Sequence, residues 1–220
     1  MEFSIVITED GSPTLHHPVF EQNYHSIHGA ASESQHIFIQ NGLDYWLHNN
    51  KDKTSIDIFE MGFGSGLNAM LTAKRAEDLK VNIIYTTYES FPISIDTAIE
   101  ISTYFENSEI LINLHQCPWG QAIKINNYFT IIKKEIKMEC IDAINKFDLI
   151  YYDAFSPISQ PELWTTEIFQ KLFKATKNQG LLTTYCAKGS VKRSLKEAGW
   201  QITALKGPKG KREMTIAEKH

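Results

Sequence analysis

The stretch IDIFEMGFGSGLNAM (56–70) decides the fold. IDIFEM (56–61) is a short apolar strand, and glycines at 62, 64 and 66 follow it at once. They lead into LNAMLTAKRAEDL (67–79), where Leu67, Met70, Leu71 and Leu79 recur at helical spacing. Strand, glycine turn and helix make the first half of a βαβ unit, and the pattern repeats outward. VNIIYTTYE (81–89) is a β-branched and aromatic strand, and Pro92 opens a predicted helix over ISIDTAIEISTYF (93–105). YFTIIKKEI (128–136) reads as a third strand, KMECIDAIN (137–145) as a short helix and FDLIYYDAF (147–155) as a fourth strand. A loop with Pro157 and Pro161 precedes a helix from about Trp164 to Thr176. GLLTTYCA (180–187) and the helix GSVKRSLKEAG (189–199) come next, then WQITALK and EMTIAEK joined by GPKGKR as a hairpin. Alternation at this spacing implies a mostly parallel sheet in an α/β fold, closed by a carboxyl-terminal antiparallel hairpin. Ligands of such sheets bind beyond the carboxyl ends of the strands, so the chemistry is expected just after strand ends.

Composition narrows the classes. The 220 residues are 42% hydrophobic and 22% charged, long enough for one sizeable core. No apolar run reaches the roughly 18 residues of a membrane helix, and MEFSIVITEDG lacks the basic and apolar regions of a secretory leader. A cytosolic chain is expected. Cys117, Cys140 and Cys186 show no CxxC spacing, which argues for reduced thiols. Histidines 16, 17, 25, 28 and 36 show no metal-site spacing, so no metal is expected. No repeat or linker marks a boundary. The reading is one domain, 1–220, with 1–55 as an extension, either a lid or a packing appendage, and 56–220 as the core. Residues 188–220 carry a formal +6 and the rest −10. A basic end on an acidic body fits a phosphate-contacting face, and it also fits a solvated surface.

The strand-end residues carry the chemistry. Gly62, Gly64 and Leu67 break the GxGxxG pattern of a dinucleotide site, and no Gly-Lys-Ser/Thr ends the turn as in a phosphate loop. GFGSGL is not the GxSxG elbow of a serine hydrolase. An acid followed by GxGxG remains, and it resembles the arrangement with which class I methyltransferases hold S-adenosylmethionine. Glu60 would then face the cationic amino-acid end. Glu89, twenty-seven residues past Gly62, stands where a carboxylate accepts ribose hydroxyls. Glu135 meets the adenine or is a solvated charge. Asp153 leaves the most strand-like run and is the candidate catalytic carboxylate, with an Asp capping the loop as the alternative. Pro157 stiffens the loop after it, and Phe155 and Trp164 offer faces for a stacked base or belong to the core.

The motifs together resemble the methyltransferase domain of the MnmC family, which completes the 5-methylaminomethyl group on wobble uridine 34 of certain tRNAs. The likeness rests on VFEQNYHSIHGAASESQHIFIQNGL, EMGFGSGLN, DAFSPISQPELW, TTYCAKGSVKRSLKEAGW and GPKGKREM. It implies a Rossmann-like class I fold, S-adenosylmethionine as cofactor and tRNA as partner. In bifunctional members the domain is fused to an oxidase; 220 residues leave no room for one, so the chain is similar to the stand-alone members, and a separate oxidase or upstream enzyme would provide the substrate. By the resemblance, Glu60, Gly62, Gly64, Asn68, Glu89, Glu135 and Asp153 would hold the cofactor, with Asp153 catalytic. Tyr24, Glu33 and Asn41 would help close the site, although His25 stands where the family more often has Phe. Lys211 and Arg212 match an element near the substrate opening, and Lys188, Lys192 and Arg193 would meet tRNA phosphates. Rivals with the same fold are an aminopropyltransferase resembling spermidine synthase, whose usual acidic pair is absent here, a methyltransferase on another amine or RNA, and a non-catalytic nucleoside- or RNA-binding module.

Overall fold

A computed structural model describes residues 3–106 and 108–220; Met1 and Glu2 of the amino-terminal stretch read above lie outside it. Strands β1 (Ser4–Ile7), β2 (Pro13–His17) and β3 (Gln22–Asn23) form a small antiparallel sheet. A continuous helix follows as α1 (Ala30–Ser34), a π-helical stretch over Gln35–Asp44 and α2 (Tyr45–Asn49). It packs across the main sheet through Ile37, Phe38, Leu43 and Trp46. The alternation then runs as expected through β4 (Ser55–Met61), α3 (Leu67–Leu79), β5 (Asn82–Tyr88) and α4 (Ile95–Ser102). Two elements follow that the sequence pattern did not predict, α5 (Ser108–Gln116) and the edge strand β6 (Ala122–Lys124). β7 (Phe129–Lys134) and β8 (Phe147–Tyr152) match their predicted runs. The short helix expected over 137–145 is a single 3-10 turn at Met138–Cys140. After a second 3-10 turn (Pro161–Trp164) come α6 (Thr166–Ala175), β9 (Thr176–Thr184), α7 (Gly189–Glu197), β10 (Gln201–Lys206) and β11 (Glu213–Glu218).

The main sheet has the order β10-β11-β9-β8-β4-β5-β7-β6. Its five central strands are parallel; β6 and β11 run antiparallel to them at the two flanks, and β10 pairs antiparallel with β11 at the outer edge. β4 lies in the middle, with β5 on one side and β8, far later in sequence, on the other. The chain therefore reverses its winding direction beside β4, and the loops after β4 and β8 part to leave a crevice.

Side-chain parity along β4 sorts the core. Ile56 and Ile58 face the layer of α3, α5 and the π-helical stretch, whereas Phe59 and Met61 face the layer of α6 and α7. α3 buries Leu67, Met70, Ala69, Ala73 and Ala76. Leu71 is only partly buried and Leu79 is exposed, so small alanines, not those two leucines, let α3 lie close on the sheet. Lys219, counted above in the basic end, is buried: its Nζ donates to the carbonyls of Phe173 (2.8 Å) and Thr176 (2.7 Å), so it caps the end of α6. No helix among the described residues is long and apolar enough to cross a membrane.

Candidate active site

The crevice beyond β4, β5 and β8 is a cavity of about 440 Å³, within the range of small-molecule sites. Its floor is the glycine loop. Gly64 has φ +51°, and a Cβ there would stand 2.8 Å from the Tyr24 ring. Gly62 has φ +86°, and a Cβ would press to 3.3 Å on the Asp153 carbonyl oxygen. Glycine thus serves both the left-handed turn and the close approach of two neighbouring segments. Glu89, at the end of β5, accepts from Gly64 N at 2.9 Å and Phe91 N at 2.8 Å, which ties the loop to the second strand end. The carboxylate lines the cavity and keeps further lone pairs to offer.

Asp153 lies half-buried just past β8. Burial pushes its carboxyl up to about 7; Asn68 Nδ2, donating at 2.8 Å, opposes this, the Glu33 charge adds to it and Lys211 opposes it. Lys211, on the turn between β10 and β11, meets Glu33 of α1 at 2.5 Å and stands 4.1 Å from the centre of the Tyr185 ring. Glu33 also accepts from Ser26 N at 2.7 Å.

The amino-terminal extension forms one wall. Phe20 packs on Phe155 at 4.7 Å between ring centres, Tyr24 at 5.1 Å and His17 at 5.3 Å. Gln22 Nε2 donates to Ser156 Oγ at 2.9 Å, and Ser156 N donates back to Gln22 Oε1 at 3.4 Å, so the extension grips the loop after β8. His25 also lines the cavity; its burial pushes the imidazole down to about 4, so it is neutral at pH 7. Through these contacts the extension contributes one packed wall of the cavity.

Of the residues singled out in the sequence, Tyr24, Glu33, Gly62, Gly64, Asn68, Glu89, Asp153, Phe155 and Lys211 line the one cavity. The others do not. Glu60 shares the parity of Ile56 and Ile58, so its side chain turns into the core under the cleft and is fully buried. Asn41 sits in the π-helical stretch and donates to the His36 carbonyl of its own helix at 2.7 Å. Glu135 is exposed beyond β7, the solvated alternative. Pro157 lies outside the lining, and Trp164 is buried beside Tyr152 and Phe169, where its indole N–H holds the Phe155 carbonyl at 2.8 Å. Lys188, Arg193 and Arg212 are exposed away from the cavity, and Lys192 is paired with Glu213 at 2.8 Å. Sequence reasoning missed His17, Phe20, Gln22, Phe91 and Tyr185 as lining residues. Phe91, two residues past Glu89, and Tyr185, just past β9, had a positional signal; His17, Phe20 and Gln22 come from a segment with no period to read.

A glycine cradle at a switch point, with a carboxylate on the neighbouring strand end, suits a nucleoside-type ligand. The family profile described as S-adenosyl-L-methionine-dependent methyltransferase matches residues 101–220. The chain belongs to this family. S-adenosylmethionine is accordingly the cofactor of this methyltransferase. It is similar to the "tRNA 5-methylaminomethyl-2-thiouridine biosynthesis bifunctional protein MnmC" of Burkholderia thailandensis, at 28% identity over 98% of this chain and 35% of that one. The protein of the same name from Idiomarina loihiensis is also 28% identical, over 96% of this chain and 37% of that one. The methyltransferase thus spans about a third of the length of these relatives. Among solved structures, MnmC2 from Aquifex aeolicus superposes with a TM-score of 0.78 at 27% identity, covering 99% of this chain and 70% of that one. Spermidine synthase from Thermotoga maritima superposes at 0.58 with 15% identity, covering 99% and 69%, which shows a shared fold.

Proposed function

We propose that this methyltransferase acts on the wobble uridine of tRNA, N-methylating 5-aminomethyl-(2-thio)uridine at position 34 to 5-methylaminomethyl-(2-thio)uridine. The observation that carries the reading is the half-buried Asp153 beside the glycine loop, in a cleft walled by Phe20, Tyr24 and Phe155. The likeness to proteins named for 5-methylaminomethyl-2-thiouridine biosynthesis supplies the substrate. Gly62, Gly64 and Asn68 would hold the cofactor, Glu89 its ribose hydroxyls, and Tyr24 and Glu33 would close over it. When bound, S-adenosylmethionine supplies an electrophilic methyl group.

The chain's own residues do the rest. An aminomethyl group is mostly protonated in water, and a nitrogen without a lone pair cannot attack. Asp153 would hold the ammonium by a charge-assisted hydrogen bond, then take its proton as the amine bonds to the methyl carbon. A carboxyl near 7 is matched to that exchange at neutral pH. The packed pair Phe20 and Phe155 would offer one aromatic wall to the uracil ring and exclude water, so the remaining rate comes from positioning. The exposed Lys188, Arg193 and Arg212 would meet anticodon-arm phosphates, which makes affinity fall with salt. The aminomethyl substrate would come from a separate oxidase or an upstream modification enzyme, and the reaction would run in the cytosol. Residues 1–55 would serve as a fixed cover of a single methyltransferase unit.

The test is incubation with S-adenosylmethionine and tRNA from cells unable to methylate the aminomethyl group, read by nucleoside mass spectrometry. A gain of one methyl on that nucleoside is expected, and Asp153→Asn should lose at least about 100-fold in turnover with cofactor affinity kept. No methyl gain with intact cofactor binding sinks the substrate assignment; undiminished turnover in D153N removes Asp153 from the mechanism.

A further inference from the structure

Beneath the cleft lies a polar cluster that the reaction as described does not use. Glu60 is fully buried in the middle strand, in register with Thr87 of β5 and Tyr151 of β8. Both its carboxyl oxygens lack a hydrogen-bond partner among the described residues, and so do Tyr85 Oη, Thr87 Oγ1, Tyr151 Oη and Asn68 Oδ1. The Asn68 amide lies against the Glu60 carboxyl, while its Nδ2 donates to Asp153 at 2.8 Å. An amide that gives its N–H to Asp153 turns its oxygen away from it. That oxygen is buried and accepts only, so it needs a donor. An ionised Glu60 has none to offer and would face it with like charge; a protonated Glu60 has one O–H.

We propose that Glu60 is a positioning residue: it stands protonated, gives its O–H to Asn68 Oδ1, and so locks the Asn68 amide with its Nδ2–H on Asp153. The groups acting on Glu60 are Thr87 and Tyr85 of β5, Asn68 of α3 and Asp153 past β8, neutral or anionic throughout. In keeping with this, burial pushes the Glu60 carboxyl up to about 8, outweighing the downward pull of Thr87, Tyr85 and Asn68, and Asp153 adds to the rise. The amide couples two acids through one proton. With the proton on Glu60, Asn68 presents its donor to an ionised Asp153; with the proton on Asp153, the same amide would be stable flipped. Asn68 thereby ties the base form of Asp153 to the acid form of Glu60.

The effect on rate rests on Asp153 being the catalytic carboxylate, whereas the protonation of Glu60 and the amide lock do not. The experiment compares the wild-type chain with Glu60→Gln, which keeps a neutral donor, and Glu60→Leu, which removes it at similar volume. Infrared difference spectroscopy of the protein alone at pH 7 should show a protonated-carboxyl band in wild type that is missing from E60Q. With methyl-acceptor tRNA, kcat of E60Q should stay within about 3-fold of wild type, while E60L falls about 10-fold or more. The dissociation constant for S-adenosylmethionine should move by less than about 3-fold in both. Absence of the band, equal loss in E60Q and E60L, wild-type turnover in E60L, or a tenfold weaker cofactor affinity in E60Q each overturns the proposal. Undiminished turnover in D153N would instead remove the catalytic reading of Asp153 and leave the infrared result to decide the state of Glu60.

Discussion

Replacing Lys211 by methionine tests how the cleft is held shut. The Lys211 side chain is 31% exposed and that of its partner Glu33 only 8%, at a separation of 2.5 Å. Breaking a fully buried pair by removing one partner costs about 3–5 kcal/mol, and an exposed pair contributes about 0–1 kcal/mol. With one partner buried and the other a third exposed, Lys211→Met should cost about 2 kcal/mol, including the lost contact with the Tyr185 ring. For a chain of this size that is a fall in Tm of about 4–8 °C. Glu33→Gln should cost only about 1 kcal/mol, because the amide still accepts from Ser26 N and the freed lysine reaches water. The double variant should cost less than the sum of the two, since no buried charge is then left alone. Lys211 also holds the Asp153 carboxyl down, so K211M should move the acid limb of the pH–rate profile to higher pH. Calorimetry on the four proteins at one pH gives the cycle. A larger loss in E33Q than in K211M, or strict additivity, would refute the argument that the buried carboxylate is the member that needs its partner.

Gly64→Ala should weaken S-adenosylmethionine binding about 10-fold or more by calorimetric titration, because its Cβ would drive into the Tyr24 ring from a left-handed backbone. Lys219→Met strips the donor from two carbonyls at the end of α6 and should lower stability by about 2–3 kcal/mol in urea. Burial holds His25 neutral, pushing its imidazole down to about 4 from the ordinary 6.5. It therefore contributes stability that is present above about pH 6.5 and lost as pH falls toward 4, so His25→Phe should flatten unfolding free energy across that window. Asp153 works the other way. Its folded value near 7 lies above 3.8, so its contribution is full below about pH 4 and lost as pH rises through 7, a slope that D153N should remove.

The parts of this fold legible in the sequence are those in which one short segment carries its own cause. β4, the glycine loop and α3 are contiguous, and the left-handed turn at Gly64 needs glycine whatever surrounds it. Asp153 and Glu89 were found because strand ends in a parallel sheet point to one edge. Parity places Glu60: counting from Ile56 and Ile58 puts its side chain in the core, where it is fully buried. Trp164, Asn41 and Lys219 were not legible, because an indole, an amide and an ammonium take their partners from tertiary contacts. β6 is three residues long and carries no alternating pattern, so its place beside β7 follows from the sheet edge it covers. Four lysines of the apparent basic end are spent on internal partners, Lys192, Lys209, Lys211 and Lys219, which leaves a weaker field than the count implied.

The pairing of Glu33 with Lys211 spans 178 residues, and Tyr45 reaches Glu218 across 173. On a ribosome adding about 5–20 residues per second, on the order of ten seconds or more separates the emergence of the two halves of each contact. Through that interval the β1–β3 sheet and its aromatic wall have no closing partner. The enclosed cleft is therefore a late product of synthesis, in which Phe20 and Tyr24 wait for Phe155 until the loop after β8 has been made.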